Sequence, residues 1–280
     1  MIEAVTMVMS PAPAYVRSAT ISAANPTIEP PFLGAHVVGP VRPDEIVGYL
    51  DEDALFGARW HLSPGAGESE SAFRRSARRL LVEQLAAAAK QEIFAPQVAY
   101  GYFPANSDGN EVIIWDDEMS SERARLVFKR QSGQPRLCVA DYVKPVGQID
   151  YVALQMVTMG NRMSRRSPDH YGGATPESYL RLHGLGIAME DALTEYWHRR
   201  IRIEWGFWDE DGPSLGLVFR QFYRGGRYPV PGNEHTVAEL LGAERIGVTV
   251  GGAGDDPLQP ELTTVRLIVH HPQAGGFVID

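Results

Sequence analysis

The strand patterns of this chain occur in groups instead of alternating with helices, and this grouping constrains the fold most. Segments with the composition of strands follow one another at 98–103, 111–115, 125–129, 137–143 and 151–158, and again at 246–250 and 264–270. Parallel strands need a long crossover between them, usually a helix, whereas short turns join antiparallel strands. The sequence therefore predicts an α+β fold with a mainly antiparallel sheet.

Periodic apolar residues predict two long helices beside this sheet. Apolar positions recur at three- and four-residue steps over 73–95, and again from Pro176 to Trp205. Shorter helices are expected after Asp44 and from a Thr236 cap to Leu241. Residues 104–110, which are rich in Pro, Asn, Asp and Gly, predict the turn of a hairpin between the first two strands.

The composition argues against several classes of protein. The 280 residues include 26 Lys and Arg against 35 Asp and Glu, so the formal net charge is −9 and a nucleic-acid partner is not expected. No apolar run approaches the roughly 20 residues that cross a bilayer, so a membrane partner is not expected either. Cys138 is the one cysteine of the sequence, which rules out an intrachain disulfide and suits a cytoplasmic protein.

The first 31 residues differ in composition from the rest of the chain. They are rich in Ala, Ser, Thr and Pro, with five prolines spread through them. Such a composition is typical of a mobile terminal segment. We therefore expect a flexible arm at 1–31 and one domain at 32–280.

General motifs identify no catalytic residue and no metal site. The sequence has no glycine-rich nucleotide loop after a strand. His270 and His271 are adjacent on an expected strand, so their rings should point to opposite faces and diverge from any shared metal ion. Cys138 lies in an apolar run and is expected to be a small buried residue rather than a nucleophile.

Several collinear segments carry a more specific pattern. They are Tyr-Gly-Tyr-Phe-Pro-Ala-Asn-Ser-Asp-Gly-Asn at 100–110 with Val-Ile-Ile-Trp at 112–115, Leu-Cys-Val-Ala-Asp-Tyr-Val-Lys-Pro at 137–145, Asp-Tyr-Val-Ala at 150–153 and Glu-Tyr-Trp-His-Arg-Arg-Ile-Arg at 195–202. Shorter matches at 31–34, 49–51 and 271–277 extend the pattern towards both ends. In this order the segments resemble the activation domain of cobalamin-dependent methionine synthase.

The resemblance implies a single C-shaped α+β domain, a twisted antiparallel sheet with long flanking helices, that binds S-adenosylmethionine in a groove. The implied activity is reactivation of oxidised cob(II)alamin by reductive methylation, with an electron from a flavodoxin-like donor. The cobalamin is carried by the cobalamin-binding module of methionine synthase or by another corrinoid protein. Because the match runs from about residue 30 to the last residue, we expect that module on a separate chain. The cofactor is the nucleophile, so no catalytic side chain is required.

The resemblance also implies a set of ligand residues. Asp51 matches the carboxylate that contacts the amino end of S-adenosylmethionine, and Arg227 matches the arginine that grips its carboxylate. The other matched positions are Tyr228, Pro229, Val230, His235, Gly276 and Phe277. Without the resemblance, Asp51 also suits a helix cap or an exposed position, and 223–235 also suits a plain surface turn.

Departures from the family pattern leave other hypotheses open. The ligand loop is shorter than usual, and Gln221 stands at a position that is usually acidic. Residues 251–256 replace a Thr-Glu-Ser-like stretch, and Gly276 stands where an aromatic ring normally lies against the ligand. The alternative function is a non-catalytic corrinoid-protein docking module that has lost S-adenosylmethionine binding. A divergent enzyme for another small molecule ranks third.

Overall fold

The computed structural model describes residues 17–163, 176–207, 226–251 and 258–277. The strands are β1 Gly34–Val38, β2 Gln97–Asp108, β3 Glu111–Trp115, β4 Glu122–Val127, β5 Tyr151–Thr158, β6 Arg227–Pro229, β7 Thr249–Val250, β8 Leu258–Gln259 and β9 Thr263–Ile268. The α-helices are α1 Pro43–Ile46, α2 Glu70–Lys90, α3 Pro176–Trp205 and α4 Glu234–Leu241. Short 3-10 turns lie at Val47–Tyr49, Val139–Tyr142 and Ala243–Ile246, and a π turn lies at Ala54–Arg59.

One seven-stranded sheet organises the domain. Its strands follow in the order β4-β3-β2-β5-β9-β6, and β1 also pairs with β2. Every pair in this sheet is antiparallel. The predicted α+β class with a mainly antiparallel sheet is confirmed, while the C shape implied by the resemblance stays a prediction.

A strand is expected at 137–143, but Val139–Tyr142 within that segment form a 3-10 turn instead. The Asp141 carboxylate accepts a hydrogen bond from the backbone N–H of Cys138 at 2.9 Å and is held by Arg130 at 2.6 Å. A side chain that satisfies its local backbone in this way stabilises a turn in competition with a strand ladder. The strand prediction is therefore wrong, whereas the predicted burial of Cys138 is confirmed.

The hairpin between β2 and β3 is tighter than the sequence predicts. β2 continues to Asp108, so only Gly109 and Asn110 connect the two strands. Gly109 has φ of 61°, the left-handed backbone that two-residue hairpin turns require. The prediction of a hairpin is confirmed, but the predicted loop over 104–110 is too long.

The helices agree with the predicted positions more closely than the short strands do. α3 begins at Pro176 and ends at Trp205, as predicted. α4 begins at Glu234, so the predicted Thr236 cap is wrong, and Asn233 precedes the helix. Of the strand predicted at 246–250, only Thr249–Val250 is a strand. Within the described ranges, no helix is both long enough and apolar enough to cross a membrane.

The sheet carries a separate hydrophobic core on each face. Tyr102, Val157 and Ile268 belong to the core that includes α3. Phe103 and Leu267 belong to the core on the other face. Because adjacent residues of a strand point to opposite faces, the position of a residue along β6 or β9 decides which core it meets.

Residues 17–31 pack on the domain. The Arg17 guanidinium donates to the carbonyl of Val143 at 2.7 Å, and the indole N–H of Trp205 donates to the carbonyl of Ile28 at 2.9 Å. These contacts do not fit a mobile arm over 17–31. Residues 1–16 lie outside the described residues, and the boundary at residue 31 stays a prediction.

Candidate functional site

The predicted ligand residues on β6 and just after it point to both faces of the sheet. Arg227 faces α3, because it lies opposite Ile268 of the core that includes α3, and Pro229, two residues along the strand, shares that face. Tyr228 points the other way into the second core, where Val230 is buried as well. Arg227 and Tyr228 therefore do not line one common surface.

Tyr228 is the centre of an aromatic cluster on the face away from α3. Its ring stacks on Tyr142 with centroids 5.5 Å apart, and the ring of Phe277 lies 5.7 Å from it. The Tyr228 hydroxyl donates to the carbonyl of Gly275 at 2.9 Å and accepts from the N–H of Gly275 at 3.1 Å. Burial raises the pKa of Tyr228, so its hydroxyl stays protonated. The structure thus brings two predicted ligand residues, Tyr228 and Phe277, together.

Three other predicted ligand residues are exposed. A Cβ at Gly276 would meet no atom within 4 Å, so a larger side chain would have room there. His235 lies on α4 and pairs with Glu239 at 3.3 Å. Asp51 accepts the N–H of Ala54 at 3.0 Å through its carboxylate. Asp51 thus caps the π turn, and its ligand role stays a prediction.

Charged side chains of α3, β6 and β9 act on one another electrostatically. This group, termed the charged layer, consists of Glu190, Asp191, Glu195, Arg227 and Arg266. Arg227 donates to Glu195 through Nη1 at 2.9 Å, and the Glu195 side chain is 8% exposed. A buried carboxylate costs free energy unless it is paired, so Arg227 is engaged by α3.

Arg266 is the member of the charged layer that hydrogen-bonds within its own strand. Its Nη1 donates to Thr264 Oγ1 at 2.6 Å and to a backbone carbonyl at 2.8 Å. Burial lowers the pKa of Arg266 and Arg227 lowers it further, whereas Glu190 and Asp191 raise it. Because a guanidinium stays protonated in proteins, Arg266 remains a cation here.

The charged layer connects Arg227 with the turn that Asp51 caps. Asp191 pairs with Arg59 of that turn at 3.0 Å, and Glu195 follows Asp191 by one helical turn, which places both on the same side of α3. The π turn and Arg227 therefore both contact α3.

A hollow of about 440 Å³ lies elsewhere, between β1, β2 and the second half of α3. It is lined by Val38, Tyr100, Trp197, Arg200, Ile203 and Glu204. The Tyr100 hydroxyl donates to Glu204 at 3.4 Å, and burial, followed by the charge of Glu204, raises the pKa of Tyr100 to about 12. None of the predicted ligand residues lines this hollow.

The two adjacent histidines have separate partners. His270 Nε2 lies 2.7 Å from Asp150 Oδ1, and His271 Nε2 donates to the carbonyl of Ser22 at 2.8 Å. The two residues lie beyond β9, which ends at Ile268, so the strand alternation on which the expected divergence rested does not apply to them. Among the residues that the structure describes, no three His, Cys, Asp or Glu side chains are grouped so as to hold a metal ion.

Comparison with known proteins identifies the family. The sequence matches the family described as "Vitamin B12 dependent methionine synthase, activation domain" over residues 44–280. The chain belongs to this family. The resemblance of the collinear segments is thereby confirmed.

Relatives of this activation domain occur in mycobacteria. The methionine synthases of Mycobacterium tuberculosis (strain ATCC 25618 / H37Rv) and Mycobacterium leprae (strain TN) are 33% and 32% identical to it over 274 residues. Each match covers 89% of this chain and 23% of the relative, so the chain spans about a quarter of the length of these relatives.

A solved structure supports the fold of the activation domain. The crystal structure of the MetH reactivation domain bound to AdoHcy is similar with a TM-score of 0.78 and 22% identity. The similarity covers 91% of this chain and 84% of that chain. At this level of identity the comparison shows the shared fold.

Arg266 was not identified from the sequence, although a signal was present. It interrupts the run Thr-Thr-Val-Arg-Leu-Ile-Val at 263–269, and a charged residue inside an otherwise apolar strand is unusual. The pairing of Arg227 with Glu195 was not predictable, because the two residues come from separate elements. Gln221 and residues 223–225 of the predicted ligand loop lie outside the described residues, as do residues 252–256.

We predict that the activation domain loses stability as His271 becomes protonated. The Nδ1 atom of His271 accepts a hydrogen bond from the N–H of Gln273 at 3.1 Å, and its Nε2 donates to the carbonyl of Ser22. The neutral ring therefore fits both partners. Burial lowers the pKa of His271 from 6.5. The stability that the neutral His271 ring contributes is therefore fully present above about pH 6.5. It is lost as the pH falls from there towards the folded-state pKa of His271. The loss is at most about 1.4 kcal/mol per pH unit in this interval.

Urea unfolding of the wild type and of His271→Gln between pH 7.5 and 5 measures this effect. The variant should lose less stability than the wild type over this range, because glutamine does not titrate. Exposed His235 provides the matched control, and His235→Gln should follow the wild type. An identical pH dependence of wild type and His271→Gln contradicts the prediction.

Proposed function

We propose that this activation domain binds S-adenosylmethionine and presents its methyl group for reductive methylation of cob(II)alamin. The cobalamin is carried by a separate methionine synthase or corrinoid module. The family match over 44–280 supports the proposal, as does the similar fold of a reactivation domain bound to AdoHcy. AdoHcy is the product that remains when S-adenosylmethionine has given up its methyl group.

The observation that carries the proposal is the charged layer. An amino-acid end of a ligand has a carboxylate and an ammonium group on one carbon atom. The charged layer holds the guanidinium groups of Arg227 and Arg266, with Glu195 2.9 Å from Arg227 and with Glu190 and Asp191 acting electrostatically on Arg266. Charge-assisted hydrogen bonds, from a guanidinium to a carboxylate or from an ammonium group to a carboxylate, are stronger than hydrogen bonds between neutral groups. The residues present therefore fit the amino-acid end of S-adenosylmethionine.

The remaining predicted ligand residues are assigned by their positions. Asp51 is exposed beside the π turn, where a free carboxylate oxygen is able to accept from an ammonium group. The segment with Gly276 and Phe277 is fixed to β6 through Tyr228, on the other face of the sheet from the charged layer. Val230 and Tyr228 support this segment from within the core on that face. Pro229 and His235 complete the proposed set at the surface.

The protein contributes position rather than acid–base chemistry. Bound S-adenosylmethionine would supply an activated methyl group to the cobalamin carried by the partner, and a flavodoxin-like donor would supply the electron that this cobalamin needs. The side chains of this domain hold the ligand in a fixed orientation, and correct orientation alone lowers a reaction barrier by several kcal/mol. No catalytic side chain is needed for that role.

Ligand titration tests the proposal directly. Isothermal titration with S-adenosylmethionine and with AdoHcy should show saturable binding of both. Binding to a cobalamin-loaded partner that does not respond to either ligand would instead support the alternative of a docking module. The absence of any binding at millimolar ligand overturns the proposal.

Arg227→Ala should weaken binding of S-adenosylmethionine by at least about 10-fold, the loss expected for a charge-assisted contact. The variant also leaves Glu195 without its partner, so its thermal unfolding must be measured in parallel. Arg245→Ala removes an exposed arginine of the 3-10 turn Ala243–Ile246 and is the control. Unchanged affinity in a folded Arg227→Ala protein contradicts the assigned role of Arg227.

A further inference from the structure

The hollow between β1, β2 and the second half of α3 is separate from the charged layer. Its volume is about 440 Å³, within the range of roughly 300–1,000 Å³ that small-molecule pockets of proteins occupy. Of the side chains that line it, four are apolar or aromatic and two are charged: Val38, Tyr100, Trp197, Ile203, Arg200 and Glu204. The two charged groups therefore decide which small molecules this hollow would accept.

Two tyrosine hydroxyls hold the Glu204 carboxylate at the hollow. Tyr100 donates to Glu204 Oε1 at 3.4 Å, and Tyr102 donates to Glu204 Oε2 at 2.9 Å. Burial raises the pKa of both tyrosines, so their hydroxyls stay protonated and act as donors. A carboxylate offers about four lone-pair sites, and the two tyrosines use two of them. The oxygens of Glu204 are therefore fixed in position and are still able to accept hydrogen bonds from a ligand.

Arg200 does not neutralise Glu204, although the two residues are one turn apart on α3. Residues at this spacing are neighbours on a helix surface and form ion pairs. The guanidinium of Arg200 instead lies 5.0 Å from the centroid of the Trp197 ring and donates to the Tyr196 hydroxyl at 3.1 Å. In the part of the chain that the structure describes, Glu204 takes part in no ion pair. Its negative charge is therefore uncompensated beside the aromatic wall.

The chemistry of the wall fits an organic cation. The faces of tyrosine and tryptophan rings attract ammonium and guanidinium groups, as the position of Arg200 over Trp197 illustrates. A cation in contact with a carboxylate also forms charge-assisted hydrogen bonds. Val38 and Ile203 provide apolar contacts for a carbon chain, and Ile203 is 47% exposed, so the hollow is open to solvent on that side.

We propose that this hollow binds a small organic cation, an ammonium or guanidinium group on an apolar chain, with Glu204 as its counter-ion. Arg200 contributes a like charge and lies over the Trp197 ring, so it weakens this binding. The size of the hollow favours a free small molecule over one lysine side chain of a partner protein. The site shares no residue with the charged layer and is independent of the proposed function.

Chemical-shift titration of the whole chain by NMR, followed at the indole N–H of Trp197, tests the proposal. The probes are n-butylammonium, n-butanol and pentanoate, which carry a cationic, a neutral and an anionic group on the same butyl chain. The wild type should bind the cation about 10-fold more tightly than the alcohol, as an ion pair and a cation–π contact together would give. It should bind the anion least tightly.

Two variants should change the preference for the cation in opposite directions. Glu204→Gln keeps an amide oxygen for a tyrosine hydroxyl but has no charge, so the preference should disappear while the affinity for butanol stays the same. Arg200→Gln removes the like charge, so butylammonium should bind about 2- to 5-fold more tightly. Glu83→Gln, on the exposed face of α2, is the matched control and should behave as the wild type.

Each of four results would overturn the proposal. They are the absence of butylammonium binding to the wild type, tighter binding of pentanoate than of butylammonium, an unchanged preference in folded Glu204→Gln, and weaker cation binding in Arg200→Gln. An equal loss of cation and alcohol in Glu204→Gln assigns Glu204 to the fold and overturns it as well.

Two further titrations identify the source of the cation and keep the site apart from the proposed function. Tighter binding of Nα-acetyl-lysine methylamide than of butylammonium overturns the assignment to a free ligand and favours a lysine side chain of a partner. Binding of S-adenosylmethionine to Glu204→Gln should match that of the wild type. A failure at the hollow therefore leaves the proposed function standing, and the converse also holds.

Discussion

Arg130→Ala should destabilise the domain by about 3–5 kcal/mol, the cost of leaving one partner of a buried ion pair alone. Arg130 contacts both oxygens of Asp141, at 2.6 and 2.9 Å, and the two side chains are 5% and 1% exposed. Without Arg130 the Asp141 carboxylate stays buried and charged. Urea unfolding measures the loss, and the unfolding temperature should fall by about 6–20 °C.

The effect should reach the candidate site. Asp141 lies in the 3-10 turn Val139–Tyr142, and the ring of Tyr142 in this turn stacks on Tyr228. Loosening the turn removes the surface on which Tyr228 packs. In the folded variant, near-ultraviolet circular dichroism should therefore show a weaker tyrosine signal than in the wild type.

Two further variants separate charge burial from the loss of contacts. Arg125 bonds to three carboxylates but its side chain is 38% exposed, so Arg125→Ala should cost less than about 1 kcal/mol. The double variant Arg130→Ala with Asp141→Asn should be more stable than Arg130→Ala, because the buried side chain at position 141 is then neutral. A cost for Arg130→Ala no larger than that for Arg125→Ala contradicts this account.

The fold was predictable where the signal was local. The helix α3 has its apolar period and a proline at its start, so both of its ends could be read from the sequence. Segment 137–143 has a strand composition, yet Asp141 caps Cys138 and binds Arg130 from outside the segment. Strand propensity depends on such tertiary context, which the sequence does not display.

The candidate site was predictable only in part, for a related reason. The resemblance assigned Tyr228 and Phe277 to the same set of ligand residues, and their rings are 5.7 Å apart. It also grouped Arg227 with Tyr228, although neighbours on a strand face opposite ways. The position of Arg266 depends on the registers of β5, β6 and β9 together, and registers of distant strands cannot be derived from one sequence.

Trp205→Ala should also destabilise the domain by about 3–5 kcal/mol, since it removes a large side chain from a packed core. Trp205 is 2% exposed and its ring lies 5.1 Å from both Tyr102 and His270. The indole N–H also donates to the carbonyl of Ile28 at 2.9 Å. Urea unfolding measures the cost, and hydrogen exchange of residues 17–31 measures release of that segment.

Trp205→Phe distinguishes the packing of the ring from its hydrogen bond. Phenylalanine keeps an aromatic ring beside Tyr102 but cannot donate to Ile28, so the cost should fall to about 1–2 kcal/mol. Exchange of residues 17–31 should nevertheless increase in this variant, because the bond from α3 to Ile28 is lost. If both variants cost the same, the hydrogen bond rather than the buried ring fixes the end of α3. If exchange is unchanged in Trp205→Phe, residues 17–31 are held by Arg17 and its neighbours instead.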